Sequence, residues 1–151
     1  MKATFSAVVT IVLLAIYVYL VVYAINVVQC ISDSACNTLT AADFNDHMAS
    51  SLALVGGLVS ALVIAELAVT KPGEAPAARF LDPGTYKKNK GLMKFISGLY
   101  LGAWLVAGLS AFFYGYLTVE PDVLPPLADL GQAWFGIAVG AGYAYFEIKV
   151  P

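Results

Sequence analysis

Residues 71–94 read KPGEAPAARFLDPGTYKKNKGLMK and hold six of the eight Lys and Arg residues of this 151-residue chain. Two long apolar runs lie on each side of that stretch. The other two basic residues, Lys2 and Lys149, fall before the first run and after the fourth. The segments between runs one and two, and between runs three and four, contain no Lys or Arg. Basic residues that flank membrane helices stay on the cytoplasmic side, so the asymmetry predicts four crossings of the cytoplasmic membrane with both termini inside. Residues 29–47 and 120–126 are then expected outside, and the acids Asp33, Asp43, Asp46, Glu120 and Asp122 all fall in these two segments. The formal net charge of −2 therefore averages two faces of opposite sign.

Composition supports the same class. With 60% hydrophobic and 12% charged residues, the chain is too apolar for an ordinary water-soluble domain. The runs are apolar on every side, as lipid requires, and lack the polar face of a helix at a soluble surface. The predicted spans are Phe5–Val28, Met48–Val69, Phe95–Val119 and Leu127–Ile148, each close to the ~20 residues that cross about 30 Å of hydrocarbon. The first run is longer than the core of a secretory signal and reads as a retained helix. Lys71-Pro72-Gly73 and Leu81-Asp82-Pro83-Gly84 are turn signals that stop the second helix, and Pro125-Pro126 marks the start of the fourth. Short connections predict antiparallel neighbours. The expected fold is an all-α membrane protein, with four transmembrane helices packed as two antiparallel hairpins in one integral membrane domain over residues 1–151.

Small residues mark candidate packing positions: Gly56 and Gly57 in the second run, Gly98 and Gly102 in the third, Gly136 and Gly140 in the fourth. Joining helices in lipid yields no hydrophobic gain, so close backbone approach through small residues becomes a leading attraction. These faces are expected to meet either within the bundle or on other membrane subunits or copies. Rings cluster near the predicted span ends (Phe95, Phe112, Phe113, Tyr114, Tyr116, Trp134, Phe135, Tyr143, Tyr145, Phe146) and fit interfacial belts. Tyr17, Tyr19 and Tyr23 lie deeper, where their hydroxyls need partners on neighbouring helices. Lys87, Lys88, Lys90 and Lys94 are the candidate headgroup and orientation contacts. Orientation alone accounts for that basic cluster, so no nucleic-acid partner is expected.

Residues able to carry chemistry are few. Cys30 and Cys36, the only cysteines, share the predicted outer segment and are expected to pair as a structural disulfide. A redox-active pair is the sharper alternative. Thr40-Ala41-Ala42-Asp43 resembles a capped helix start. If that helix runs on, Asp43, Asp46 and His47, the sole histidine, share one face and become weak candidates for a metal. Glu66 and Glu147 sit at inner span ends, within expected reach of headgroups or lysines, and Asp129 sits at an outer end near water. No charge falls at the middle of a span, which weakens an ion-coupled transporter.

No cofactor is expected, because no phosphate-binding glycine loop and no nucleophile–histidine–acid set can be assembled. The first run lacks the embedded acid of small multidrug exporters. The first loop lacks the tryptophan of claudin-like proteins, and one C-x5-C pair differs from the C-x-x-C pairs of quinone-linked thiol oxidoreductases. The function expected is a non-enzymatic subunit that packs with and supports partners in a larger membrane complex. A small homo-oligomeric channel or holin-like pore is the alternative, with Asn26, Ser50, Ser51 and Ser60 as its thin polar stripe. A membrane redox or metal enzyme ranks last.

Overall fold

The computed structural model describes residues 2–69 and 90–146. The expected turns at 71–73 and 81–84, and the residues Lys87, Lys88, Glu147 and Lys149, lie outside that range. Within it the chain is helical: α1 is Lys2–Ser32, α2 Asp46–Val69, α3 Lys90–Phe112 and α4 Pro125–Phe146. A 3-10 turn covers Ala41–Asp43, and a π-helical turn, Phe113–Leu117, prolongs α3. Three helices are long and apolar enough to cross a membrane, over Val8–Ser32, Asp46–Leu67 and Lys94–Leu117. The chain is thus a multi-pass membrane protein. The fourth helix, at 22 residues, is shorter and lower in hydropathy than the other three, so the expectation of four membrane spans is met in part.

Local chemistry sets the ends. Nothing breaks the helix between Ala24 and Ser32, so α1 continues past its expected end to 31 residues, or about 46 Å. The Asn45 side chain caps α2 by accepting the Met48 N–H at 3.0 Å, and Asp46 follows where the helix dipole favours an acid. Pro125 opens α4 at the position that needs no N–H donor. The Leu124 carbonyl accepts the N–H groups of Leu127 and Ala128 at 3.1 and 3.3 Å.

The helices form a four-sided bundle. α1 packs on α2 and α3, and α4 packs on the same two, leaving α1/α4 and α2/α3 as diagonals. Core stripes repeat at three- and four-residue steps: Tyr17, Leu20, Val21, Ala24, Val27 and Val28 on α1; Leu52, Val55, Val59 and Val63 on α2; Tyr100, Trp104, Ala107 and Ala111 on α3; Leu127 and Trp134 on α4. Equally apolar side chains such as Phe5, Leu54, Phe95, Leu99 and Val106 point outward, where lipid is their solvent.

Two hydrogen bonds cross the α2/α3 diagonal inside this core. The Trp104 indole N–H donates to Ser60 Oγ at 3.1 Å, and the Tyr100 hydroxyl donates to the Val59 carbonyl at 3.4 Å. Tyr17 is buried, as its depth suggested, but Tyr19 is 63% exposed and faces away from the bundle. Trp134, expected in an interfacial belt, is instead only 6% exposed and packs against Trp104 with ring centroids 5.7 Å apart. The reason is a small residue opposite it, described below. Ser60→Ala leaves the Trp104 N–H without its acceptor; the expected loss is about 0.6 kcal/mol and at most about 1.7 kcal/mol, read from reversible unfolding in mixed micelles.

Candidate functional site

The end of the bundle that carries the two cysteines is closed by local structure. Cys30 and Cys36 form a disulfide with Cα atoms 5.1 Å apart. It ties the last turn of α1 to a tight bend in which Cys36 N–H donates to the Asp33 carbonyl and Ala35 N–H to Asp33 Oδ1, both at 3.0 Å. The Thr38 hydroxyl lies 3.5 Å from the Cys36 sulfur and 3.8 Å from that of Cys30. Phe44 is buried in the core and stacks on Tyr23 with ring centroids 6.3 Å apart.

The helical start at Thr40 does not run on to His47. Asp43 caps its own turn by accepting the Thr40 backbone N–H at 2.6 Å and the Thr40 hydroxyl at 3.0 Å. The chain leaves the helical conformation at Phe44, whose backbone sits at φ −94° and ψ 77° so that its ring can enter the core. Asp43 therefore belongs to the 3-10 turn, while Asp46 and His47 open α2. The shared face proposed for these three residues is corrected on that ground. Among the described residues, no group of three His, Cys, Asp or Glu side chains is placed to hold a metal ion.

The glycines divide into two sets. A Cβ at Gly56 would lie 2.8 Å from Leu130 Cδ1, so this one of the six expected packing positions is a close contact within the chain. At Gly57, Gly98, Gly102, Gly136 and Gly140 a Cβ would meet nothing within 4 Å. The closest approaches fall on glycines that four-residue Gly pairs do not reveal. The Trp134 ring lies directly on Gly108, Gly115 faces Leu127 and Ala128 at 2.9–3.0 Å, and a Cβ at Gly131 would lie 2.6 Å from Phe112 Cα. The sequence signal for these was the core stripe. Gly108 is four residues after Trp104, Gly115 four after Ala111, and Gly131 four after Leu127.

Between α2 and α4 a groove of about 480 Å³ is lined by Ala49, Ser50, Ala53, Gly57 and Ser60 on one side and Pro126, Asp129, Ala133 and Ile137 on the other. Asp129 is exposed. Of the proposed polar stripe, Asn26, Ser50 and Ser51 are exposed, while Ser60 is buried under Trp104. Lys94 is exposed on the first turns of α3. Lys90 begins that helix. Glu66 is only 6% exposed.

Gly131→Ala must push apart two backbones and is expected to cost about 2 kcal/mol or more. Gly136→Ala, with open space over its Cβ, stays within about 0.5 kcal/mol of the parent in the same unfolding assay. Cys30→Ser opens the bend; by the chain-entropy argument it costs about 2 kcal/mol, and it makes Cys36 reactive to a membrane-impermeant maleimide that leaves the parent protein unlabelled. No family model matches this chain, and neither a curated protein nor a solved structure matches it.

Proposed function

We propose that the protein is a non-enzymatic membrane subunit whose outer helix faces receive other membrane helices. The supporting observation is that five of the six expected packing glycines have nothing over them among the described residues. Gly98 and Gly102 on α3, Gly136 and Gly140 on α4, and Gly57 in the α2/α4 groove make no close approach to any described residue. Glycine inside a helix costs roughly 0.5–1 kcal/mol relative to alanine. In lipid its use is to let a second backbone come near. The bundle itself is filled by Tyr17, Leu52, Trp104 and Leu127 along its axis. The homo-oligomeric pore reading would therefore need its lumen between copies, beside the exposed Asn26 and Ser51.

Orientation belongs to the same proposal. The basic residues at the ends of α1 and α3 favour a cytoplasmic placement of both termini and of residues 70–89, with the disulfide bend and residues 120–126 outside. That placement puts Cys30 and Cys36 in an oxidising compartment, consistent with their bond.

The double variant Gly98→Leu, Gly102→Leu separates folding from assembly. Its side chains enter open space, so unfolding of the isolated chain is expected to change by less than about 0.5 kcal/mol per site. Fixed-stoichiometry partners that co-purify with the parent in mild detergent should be lost. Retention of the same partners by the variant, or purification of the parent alone as a monomer, refutes the subunit reading.

A further inference from the structure

The groove between α2 and α4 opens along the side of the bundle and ends about halfway down it. Its α2 wall runs from Ala49 to Ser60 and its α4 wall from Pro126 to Ile137. Each wall is about 16 Å long at 1.5 Å per residue. The hydrocarbon layer is about 30 Å thick, so the groove is one leaflet deep. Small side chains make the room: Ala49, Ala53 and Gly57 recur every four residues on α2, and Ala133 stands on α4. Ala53, Gly57 and Ala133 are exposed, while the contact of Leu130 with the buried Gly56 holds the two helices together at that level. The volume of about 480 Å³ falls within the ~300–1,000 Å³ of small-molecule sites.

The two ends of the groove differ in chemistry. At the end that carries the cysteines the lining includes Ser50 and Asp129, both exposed. At the deep end Ser60 already accepts the Trp104 N–H, and its neighbours in the lining are apolar. Asp46, exposed and one turn before Ser50 on α2, adds a second carboxylate to that stripe. Lys2, Lys90 and Lys94, the basic residues of the described helices, fall in the first turns of α1 and α3 at the opposite end. The start of α4 offers nothing to an anion, because Pro125 and Pro126 have no N–H and the next two N–H groups are bonded to the Leu124 carbonyl. The mouth is therefore suited to a cation, and the slot behind it to hydrocarbon.

We propose that this groove holds one acyl chain of a phospholipid from the leaflet on the cysteine side, with a primary ammonium headgroup set against Asp129. Phosphatidylethanolamine is the probe of that class. Its ammonium donates charge-assisted hydrogen bonds to a carboxylate, whereas a lipid of net negative charge brings like charge to Asp129 and Asp46. Depth decides against a helix as the occupant. A transmembrane partner runs through both leaflets and is about 10–12 Å across with its side chains, but this groove stops near the midplane at Ser60 and Ile137. The proposal goes beyond the subunit reading. At Gly57 a lipid chain takes the open space, and the faces of Gly98, Gly102, Gly136 and Gly140 stay free for other helices.

The test uses the full chain in phosphatidylcholine bilayers of symmetrical composition, read by tryptophan fluorescence. Trp104 and Trp134 are the only tryptophans; Trp134 lines the groove and Trp104 bonds Ser60 in its wall. Bromine in the second half of an acyl chain quenches an indole on near contact. Brominated phosphatidylethanolamine is expected to reach half-quenching at a mole fraction about two- to fivefold lower than brominated phosphatidylglycerol, the range of a solvent-exposed ion pair. Asp129→Asn should shrink that preference, and Ala133→Leu, which fills the slot, should lower quenching by both lipids. Ala53→Leu on the facing wall replaces Ala133→Leu if the latter loses its helicity. The Gly98→Leu, Gly102→Leu variant should match the parent, so failure of the subunit reading leaves this outcome unchanged. Equal half-quenching fractions for the two headgroups overturn the proposal, as does a preference that Asp129→Asn leaves intact. Quenching unaffected by filling the slot overturns it too. A parent quenched by neither lipid, the result if a second helix covers the groove, also overturns it.

Discussion

An indole ring laid on bare backbone, Trp134 over Gly108, is the contact on which the rest of the bundle depends. Helices surrounded by hydrocarbon gain little from covering apolar surface, since lipid tails are as apolar as the partner helix. What remains is dispersion between well-fitted surfaces and a few hydrogen bonds shielded from water. Trp134 supplies the largest fitted surface on α4 and brings Trp104 into ring contact, and Trp104 in turn bonds Ser60 on the diagonal helix. One glycine without a side chain thereby links three helices. Gly131 against Phe112 repeats the device along the same α3/α4 seam, and Gly56 against Leu130 does so at the α2/α4 seam.

The existence and approximate limits of the helices were legible because length and hydropathy alone decide them. Their faces were not. With Val, Leu and Ile on every side of α1 and α2, no polar stripe separates core from lipid, and Leu54 and Val55 look equivalent until one is buried and the other exposed. The same blindness explains the glycines. Pairs such as Gly98 and Gly102 stand out by spacing, yet the positions that carry packing are single glycines on the core stripe. The place of Trp134 near a helix end favours a belt, and the space left by Gly108 overrides that preference.

The site residues were legible where chemistry is local. Two cysteines with five residues between them in a polar bend can bond with little rearrangement, and they do. The capping interaction between Thr40 and Asp43 was also readable, but the continuation of that helix was not. Phe44 gains more by entering the core than the backbone gains from another helical turn, and burial of one ring is worth roughly 2–3 kcal/mol. The burial of Glu66 was illegible for the converse reason. A carboxyl three residues from a helix end can reach water if the helix faces outward there, and only the fold shows that this position faces the bundle axis.

The π-helical turn at Phe113–Leu117 bears on how this chain can vary. Thr118 sends both its N–H and its hydroxyl to the Phe113 carbonyl at 2.9 Å, closing a ring one residue wider than an ordinary helical turn. Deleting any one residue there would restore a regular helix while swinging everything beyond it by about 100°. Gly115 would leave its seat against Leu127, and the connection into α4 would start from another side of the bundle. Insertions and deletions in this stretch are consequently constrained by angle more than by length, and the locally irregular turn is what lets the third helix hand the chain to the fourth.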